Sequence, residues 1–345
     1  MQTKILKINP TRPQISMIKQ AVLLIRKGEV VAFPTETVYG LGADALNPSA
    51  VKKIFKAKGR PADNPLIIHI RDKKDLKRLA SDIPEITEKI IEKFWPGPLT
   101  IVLKKSKIVP KITTGGLNTV AIRMPKNKIA NLLIKEAGVP LAAPSANFFG
   151  KPSPTLAKHV SDDLAGRISM ILDGGKTKIG IESTVIDLTS RTPMLLRPGG
   201  VTLEKIQKLL GTIKIHPMIK GEKSELIHRS PGMKYKHYSP NAKIILIEGS
   251  TQNVDKKILQ LVNRFKKQRK RVGIMSTQKN YTYKADMTRF VGSSPDKIAA
   301  NLFRVFREFD AQEIDIILAH GISKKGLGLG VMNRLGKAAY KKIIV

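Results

Sequence analysis

Cysteine is missing from all 345 residues, which excludes disulfides, thiolate zinc sites, iron–sulfur clusters and a cysteine nucleophile together. No apolar run reaches the roughly 18–20 uncharged residues that a bilayer span requires. The N-terminal MQTKILKINPTRPQ lacks the apolar core and small-residue cleavage site of a secretory leader, so a cytoplasmic location with no membrane partner is expected. Acids are scarce as well: 27 Asp and Glu face 62 Lys and Arg, a formal charge of +35. Such an excess draws in nucleotides and nucleic acids over about a Debye length, without saying which. It equally suits a solvated surface, as on the basic stretch KKILQLVNRFKKQRKR at 256–271, and no aromatic RNP strand or basic-zipper heptad accompanies it.

What is present is ordinary globular protein. The hydrophobic fraction is 41%, and the length exceeds the usual size of one compact core, so two domains are expected. Ile15, Ile18, Val22 and Ile25 recur at helical spacing before Gly28, and EVVAF at 29–33 reads as a short buried strand ended by Pro34. The grammar continues with helices near 49–58, within 72–94, at 130–137 and at 202–210. Strands are expected at 66–70, 99–103, 120–123, 141–143, 168–172 and 183–188. Helices alternating with strands, some strands lacking a crossover helix, argue for an α/β domain over 1–215 with a mixed sheet. The stretch 216–241 is rich in Pro, Gly and polar residues and reads as a linker. From 242 to 345 strands alternate with helices more simply, ending in a glycine-rich loop and a helix at 334–342, which suggests a small parallel-sheet domain of Rossmann-like type.

Two glycine motifs imitate phosphate loops. Gly174-Gly175-Lys176-Thr177 has the tail of a P-loop, but Met170 stands where its first glycine belongs. Gly326-Leu327-Gly328-Leu329-Gly330 lacks the third glycine of a dinucleotide loop, which leaves a tight structural turn or a backbone contact to phosphate or a partner.

The more informative segments are turns at strand ends: PTETVYGLG (34–42), KAKGRPADN (56–64), APSAN (143–147), IEST (181–184) and LRPGG (196–200). Each joins glycine or proline geometry to charged or hydroxyl groups, the composition of loops that approach a ligand closely. Lys58 and Arg60, two apart in a proline-bounded turn, can reach one anion, Arg with a planar fork and Lys with a compact charge. Ser145 and Asn147 follow a strand and offer a hydroxyl and an amide to phosphate or a nucleoside edge. Singly, each also fits ordinary turn chemistry.

Together, Lys58-x-Arg60 and Ser145-x-Asn147 with PTETVYGLG upstream resemble the signature of the YrdC-like family. The likeness takes in NPLIIH (64–69), FWPGPLT (94–100), AIRMP (121–125) and PSAN…GKPS (144–153). Through SPGMKYKHYSP (230–240) and GLGLGVMNRLGKAA (326–339) it extends to the longer, two-domain threonylcarbamoyl-AMP synthases of that family. The resemblance implies a YrdC-like N-terminal domain with a twisted mixed sheet, and synthesis of threonylcarbamoyl-adenylate from L-threonine, bicarbonate and ATP with release of pyrophosphate. The product would feed threonylcarbamoyladenosine formation on tRNA through a downstream tRNA threonylcarbamoyltransferase. It further implies that Lys58, Arg60, Asn64, Thr119, Ser145, Asn147, Ser153, Arg197 and Tyr235 bind ATP, with Lys58 and Arg60 catalytic. Thr35, His69, Arg123, Ala143 and Ser183 would hold threonine, Arg123 facing its carboxylate. Tyr235 and Tyr238 are expected to close over the site or, alternatively, to anchor the linker to the second domain. Mg²⁺ is expected to arrive with ATP, riding on its phosphates rather than in a protein cage.

Two other readings compete. A carbamoyltransferase with a YrdC-like module would carry cysteine-rich zinc fingers and an acylphosphatase module, neither of which is present here. A basic RNA-binding module explains the charge and leaves contact with RNA open. It does not explain why hydroxyl and amide side chains accompany the cations.

Overall fold

The computed structural model describes residues 2–222, 238–279 and 281–345, and the chain divides into two compact units. The N-terminal unit comprises the described residues up to Phe149 and from Ser153 to Glu222. The C-terminal unit runs from Tyr238 onward and also takes in Gly150–Pro152.

The N-terminal unit forms β1 (Lys4–Lys7), α1 (Ile15–Arg26), β2 (Val31–Phe33), β3 (Gly40–Asp44), α2 (Pro48–Lys58), β4 (Ile67–His69), α3 (Lys74–Leu79) and β5 (Ala80–Asp82). There follow α4 (Ile86–Phe94), β6 (Leu99–Lys105), β7 (Thr119–Arg123), α5 (Lys128–Ala137), β8 (Leu141–Ala142) and α6 (Ala157–Leu164). It closes with β9 (Met170–Asp173), β10 (Thr184–Asp187), β11 (Met194–Arg197), α7 (Leu203–Leu210), β12 (Lys214–Ile215) and α8 (Pro217–Lys220). The strands form one 12-stranded mixed sheet in the order β1-β9-β2-β3-β8-β4-β7-β6-β10-β11-β12, with β5 beside β6.

On α1, Ile18, Ala21, Val22 and Ile25 fall on one stripe and pack with Ile129, Leu133 and Ile134 of α5 over Val31, Phe33 and Leu172 of the sheet. Truncating such a fully buried leucine costs about 2–5 kcal/mol. Across the sheet, Ile67, Val102, Ala121, Val185 and Leu196 form a smaller apolar cluster.

Helix α2 positions the site most directly. Asn47 caps its start by accepting from the Ser49 and Ala50 amides, and Pro48 occupies the first turn. Its end is a Schellman motif: the Arg60 amide donates to the Phe55 carbonyl and the Gly59 amide to the Lys56 carbonyl. Gly59 sits at φ +62, and a Cβ there would lie 3.0 Å from the Phe148 ring. Both the backbone and the packing thus require glycine. Lys58 is consequently the last residue of the helix expected near 49–58, and only Gly59 and Arg60 belong to the turn in which the sequence places Lys58 and Arg60 together.

The C-terminal unit contains β13 (Lys243–Glu248), α9 (Thr251–Lys267), β14 (Val272–Ser276), β15 (Met287–Phe290), α10 (Pro295–Ala311), β16 (Ile316–His320), α11 (Gly328–Ala338) and β17 (Ala339–Ile344). Its five strands are all parallel, in the order β15-β14-β16-β13-β17. Val254, Ile258, Leu261 and Val262 of α9 pack on Ile245, Ile247, Val272, Ile274 and Leu318. Tyr238 is buried in this unit, stacked on Phe303 at 5.4 Å with the Arg334 guanidinium 5.7 Å from its ring centre. That is the anchoring alternative of the two expected for it.

The glycine-rich tail departs from the sequence reading. Helix α11 begins at Gly328 inside the supposed loop, and the supposed end of the helix is the edge strand β17. A Cβ at Gly328 would sit 1.9 Å from the Ser323 carbonyl oxygen, so this glycine serves close packing at a helix start. Among the described residues no helix is long and apolar enough to cross a membrane.

Candidate active site

Four buried cations, Lys58, Arg60, Arg123 and Arg197, anchor the site. Lys58 donates from Nζ to the carbonyls of Ser145, at 2.5 Å, and Asn147, at 2.6 Å. It therefore stitches the end of α2 to the loop that carries both residues. Burial, and then the nearby Arg60 charge, hold the lysine pKa well below its ordinary value, while Asp163 opposes the shift. Arg60 Nη2 donates to the carbonyls of Asn64 and Pro65, both at 3.0 Å. The Asn64 side chain is buried, and its Nδ2 finds no acceptor among the described residues. Arg197 lies on β11 rather than in a turn. Its Nε donates to the Ser183 carbonyl and its Nη2 to the Ser183 hydroxyl, each at 3.1 Å.

Strand register places the remaining candidates. His69 of β4 pairs with Arg123 of β7, and Arg123 with Thr100 of β6. The Thr100 and Ser183 hydroxyls are 2.8 Å apart, so Arg123, Thr100, Ser183 and Arg197 form a connected row. Arg123 donates from Nε to the Gly97 carbonyl at 3.3 Å and from Nη1 to the Thr37 hydroxyl at 3.0 Å. Thr37 in turn lies 2.8 Å from the Thr35 hydroxyl. His69 is buried, its Nδ1 3.2 Å from the Ile67 carbonyl. Burial first, and the Arg123 charge second, lower its pKa to about 3, so the ring is neutral near pH 7. Ala143 fixes the start of the Ser145 loop by donating its amide to the Ile67 carbonyl at 2.9 Å.

The other candidates make contacts of their own. Ser145 bridges to Gly40 of β3, Asn147 turns its amide onto the Phe148 carbonyl, and the Ser153 hydroxyl donates to Glu182 at 2.5 Å. Thr119 begins β7, at the opposite end from Arg123. Thr119 is paired with Lys104 of β6, and the β4–β7 ladder stops at Ile67 and Ala121, because the Leu66 amide donates to the Thr113 carbonyl instead; the structure therefore does not bring Thr119 to Arg60. A β-strand advances about 3.3 Å per residue, so the Thr119 and Arg123 ends are separated by roughly 13 Å. Alternation puts Ala121 and Ile67 on the same face between them, where they join the apolar cluster. Tyr235 lies outside the described residues.

Sequence reasoning missed Glu36, Thr37, Thr100, Glu182 and Asp163. Glu36 stood inside the quoted PTET segment, and the signal was there: a buried arginine in an apolar strand demands a counter-charge. That counter-charge is Glu36, whose Oε1 is 2.6 Å from Arg123 Nη2.

Comparison with known proteins fits this architecture. The Sua5/YciO/YrdC family model, described as telomere recombination, matches residues 23–199. A second model, threonylcarbamoyl-AMP synthase C-terminal domain, matches residues 201–340. The class is thus a YrdC-like domain joined to a Sua5-type C-terminal domain. A threonylcarbamoyl-AMP synthase of Pyrococcus abyssi is 54% identical over 95% of both chains. One of Bacillus subtilis is 46% identical over 98% of this chain and 96% of its own. A crystal structure of P. abyssi Sua5 complexed with L-threonine superimposes with a TM-score of 0.96 at 52% identity, covering 99% of this chain and 100% of that one. The chain belongs to the threonylcarbamoyl-AMP synthase family, in its two-domain form.

Proposed function

We propose that this protein makes L-threonylcarbamoyladenylate from L-threonine, bicarbonate and ATP, releasing pyrophosphate, for the modification of tRNA to threonylcarbamoyladenosine. The observation that carries the reading is the pair of linked clusters on one sheet. Lys58, Arg60, Asn64, Ser145 and Asn147 gather at the end of α2, and Thr119 is assigned to ATP from the start of β7. Thr35, His69, Arg123 and Ser183 gather where the ends of β4 and β7 meet the Thr35–Thr37 turn and the start of β10, with Arg197 of β11 bonded to Ser183 at the border of the two groups. The first suits a triphosphate; the second suits a small amino acid. The relatives' names and the threonine complex of the P. abyssi protein support threonine as the amino acid.

No protein nucleophile is required. Threonine and bicarbonate condense with loss of water to an N-carboxy adduct. One of its oxygens attacks the α-phosphorus of ATP as the bond to pyrophosphate breaks. The chain's own task is to hold these anions in line and offset the charge that develops on phosphorus. Arg60 supplies a planar fork, Lys58 a point charge, and Asn64 and Asn147 amide donors, with Ser153, Arg197 and Tyr235 also assigned to ATP. Lys58 is uncharged more easily than an exposed lysine, and an incoming phosphate favours return of its proton. Ala143 completes the threonine side through its backbone.

Magnesium enters as the ion carried by ATP. The amides, hydroxyls and cations assembled here suit phosphate oxygens rather than a divalent ion, and no group of three or more acids and histidines gathers among the described residues. No step above is routed through the metal. We place the reaction in the cytoplasm, with a tRNA threonylcarbamoyltransferase consuming the product; direct contact with RNA is assigned no role.

The test is ATP–pyrophosphate exchange by the purified protein, expected to depend on both threonine and bicarbonate. Arg60→Ala should lower the rate a hundredfold or more, the effect of removing one well-placed donor worth roughly 3 kcal/mol. Equal exchange with serine, or exchange without bicarbonate, would overturn the assignment.

A further inference from the structure

Glu36 is 7% exposed and 2.6 Å from Arg123, yet neither of its carboxylate oxygens receives a hydrogen bond among the described residues. Buried carboxylates ordinarily accept several such bonds, because desolvation is otherwise costly. The flanking hydroxyls do not supply them. Thr35 Oγ1 donates to the Val38 carbonyl, and Thr37 Oγ1 accepts from Arg123.

The charge count around the pair is equally specific. Arg123 contributes one positive charge and Glu36 one negative, while His69 is neutral near pH 7. The Arg123–Glu36 pair carries no net charge, with Arg197 further along the row through Ser183, whereas the other end collects Lys58 and Arg60. An adjacent pair of opposite charges offers a partner to each end of a zwitterion.

We infer that Glu36 reads the α-ammonium of the amino acid, so that Arg123 and Glu36 together select a zwitterionic substrate over carboxylates that lack the amine. This inference rests on the assignment of this end of the site to threonine. An ammonium offers three N–H donors, the complement of the two oxygens that Glu36 leaves without donors. A carboxylate lacking the amine would bring an uncompensated negative charge next to Glu36. Glu36 thus acts in recognition, ahead of the condensation with bicarbonate.

The experiment is calorimetric binding of L-threonine and of (R)-3-hydroxybutyrate, which keeps the carboxylate, hydroxyl and methyl but has hydrogen in place of the ammonium. Wild-type protein should favour threonine by about 10–100-fold, the range of one charge-assisted hydrogen bond. In Glu36→Gln the preference should shrink to about threefold or less, mostly through weaker threonine binding. If Glu36→Gln weakens both ligands equally and keeps the ratio, Glu36 only steadies Arg123 and the inference is overturned. If wild-type protein binds ATP but neither ligand, the threonine assignment itself fails and takes the inference with it. Should Trp95 fluorescence show Glu36→Gln unfolded, Glu36→Asp decides: the shorter acid should cut the ratio severalfold with hydroxybutyrate binding unchanged. An unaltered ratio in that variant refutes the role.

Discussion

Lowering the pH below about 6.5 is expected to destabilise the N-terminal unit through His69. The ring is buried on β4 beside Arg123, and its pKa is lowered to about 3 against an ordinary 6.5. The sign follows from proton counting: between those values the unfolded chain holds a proton at this histidine and the folded chain does not, so acid favours unfolding. The contribution of His69 is complete above about 6.5 and declines as pH falls towards the folded value. Each unit in that window costs about 1.4 kcal/mol, so acidification from 6.5 to 4.5 removes roughly 2–3 kcal/mol. The assay is chemical denaturation followed by Trp95, the single tryptophan, which is buried in the same unit with its indole N–H on the Leu99 carbonyl. His69→Gln is the reference, since it carries the same acidic residues but no titrating ring. The stability advantage of wild type over the variant should shrink by about 1.4 kcal/mol per unit. Parallel curves across the window would show that the folded protein accepts the proton without penalty, and would refute the electrostatic account of this site.

The depressed pKa of Lys58 predicts that kcat/KM for ATP falls on an alkaline limb below the ordinary lysine value of 10.5. Lys58→Arg should move that limb upward, and a limb unchanged by the replacement would exclude Lys58 as its source. Gly59→Ala places a Cβ in the left-handed region and 3.0 Å from the Phe148 ring. It should cost roughly 1–3 kcal/mol in Trp95-monitored unfolding and raise KM for ATP by displacing Lys58 and Arg60; unchanged values in both would sink the Schellman argument. In the C-terminal unit, Gly328→Ala meets the Ser323 carbonyl at 1.9 Å and should lower the thermal midpoint by several degrees, whereas a neutral result would restore the loop reading of that segment.

Much of the fold was legible because its elements follow simple periods. The stripe of Ile18, Val22 and Ile25 announced α1, and the apolar strands flanked by Gly and Pro announced β2, β4, β6 and β7. Short or amphipathic pieces escaped: β1 is mostly exposed, β15 carries one buried residue, and β17 is an edge strand whose Lys341 and Lys342 resemble a helix end. For the candidate site, residue types in turns pointed to the right segments, but partners did not follow from spacing. Arg123 and Glu36 are far apart in sequence, and only the register of β7 against β4 and the path of the Thr35–Thr37 turn bring them together. Likewise Lys58 read as a phosphate ligand pure and simple, because nothing local shows that its ammonium also holds two carbonyls of a distant loop.

The Schellman-capped end of α2 has an electrostatic consequence for any anion bound there. Helices usually greet phosphate with their amide-bearing N-termini, where the backbone dipole is attractive. Here Lys58 and Arg60 stand at the opposite pole, where the backbone dipole is negative even though the cap and the Phe149 amide bond its carbonyls. The two side chains must first cancel a repulsion before they can attract a triphosphate. A neutral substitution at either position therefore uncovers a hostile helix end in addition to deleting a contact.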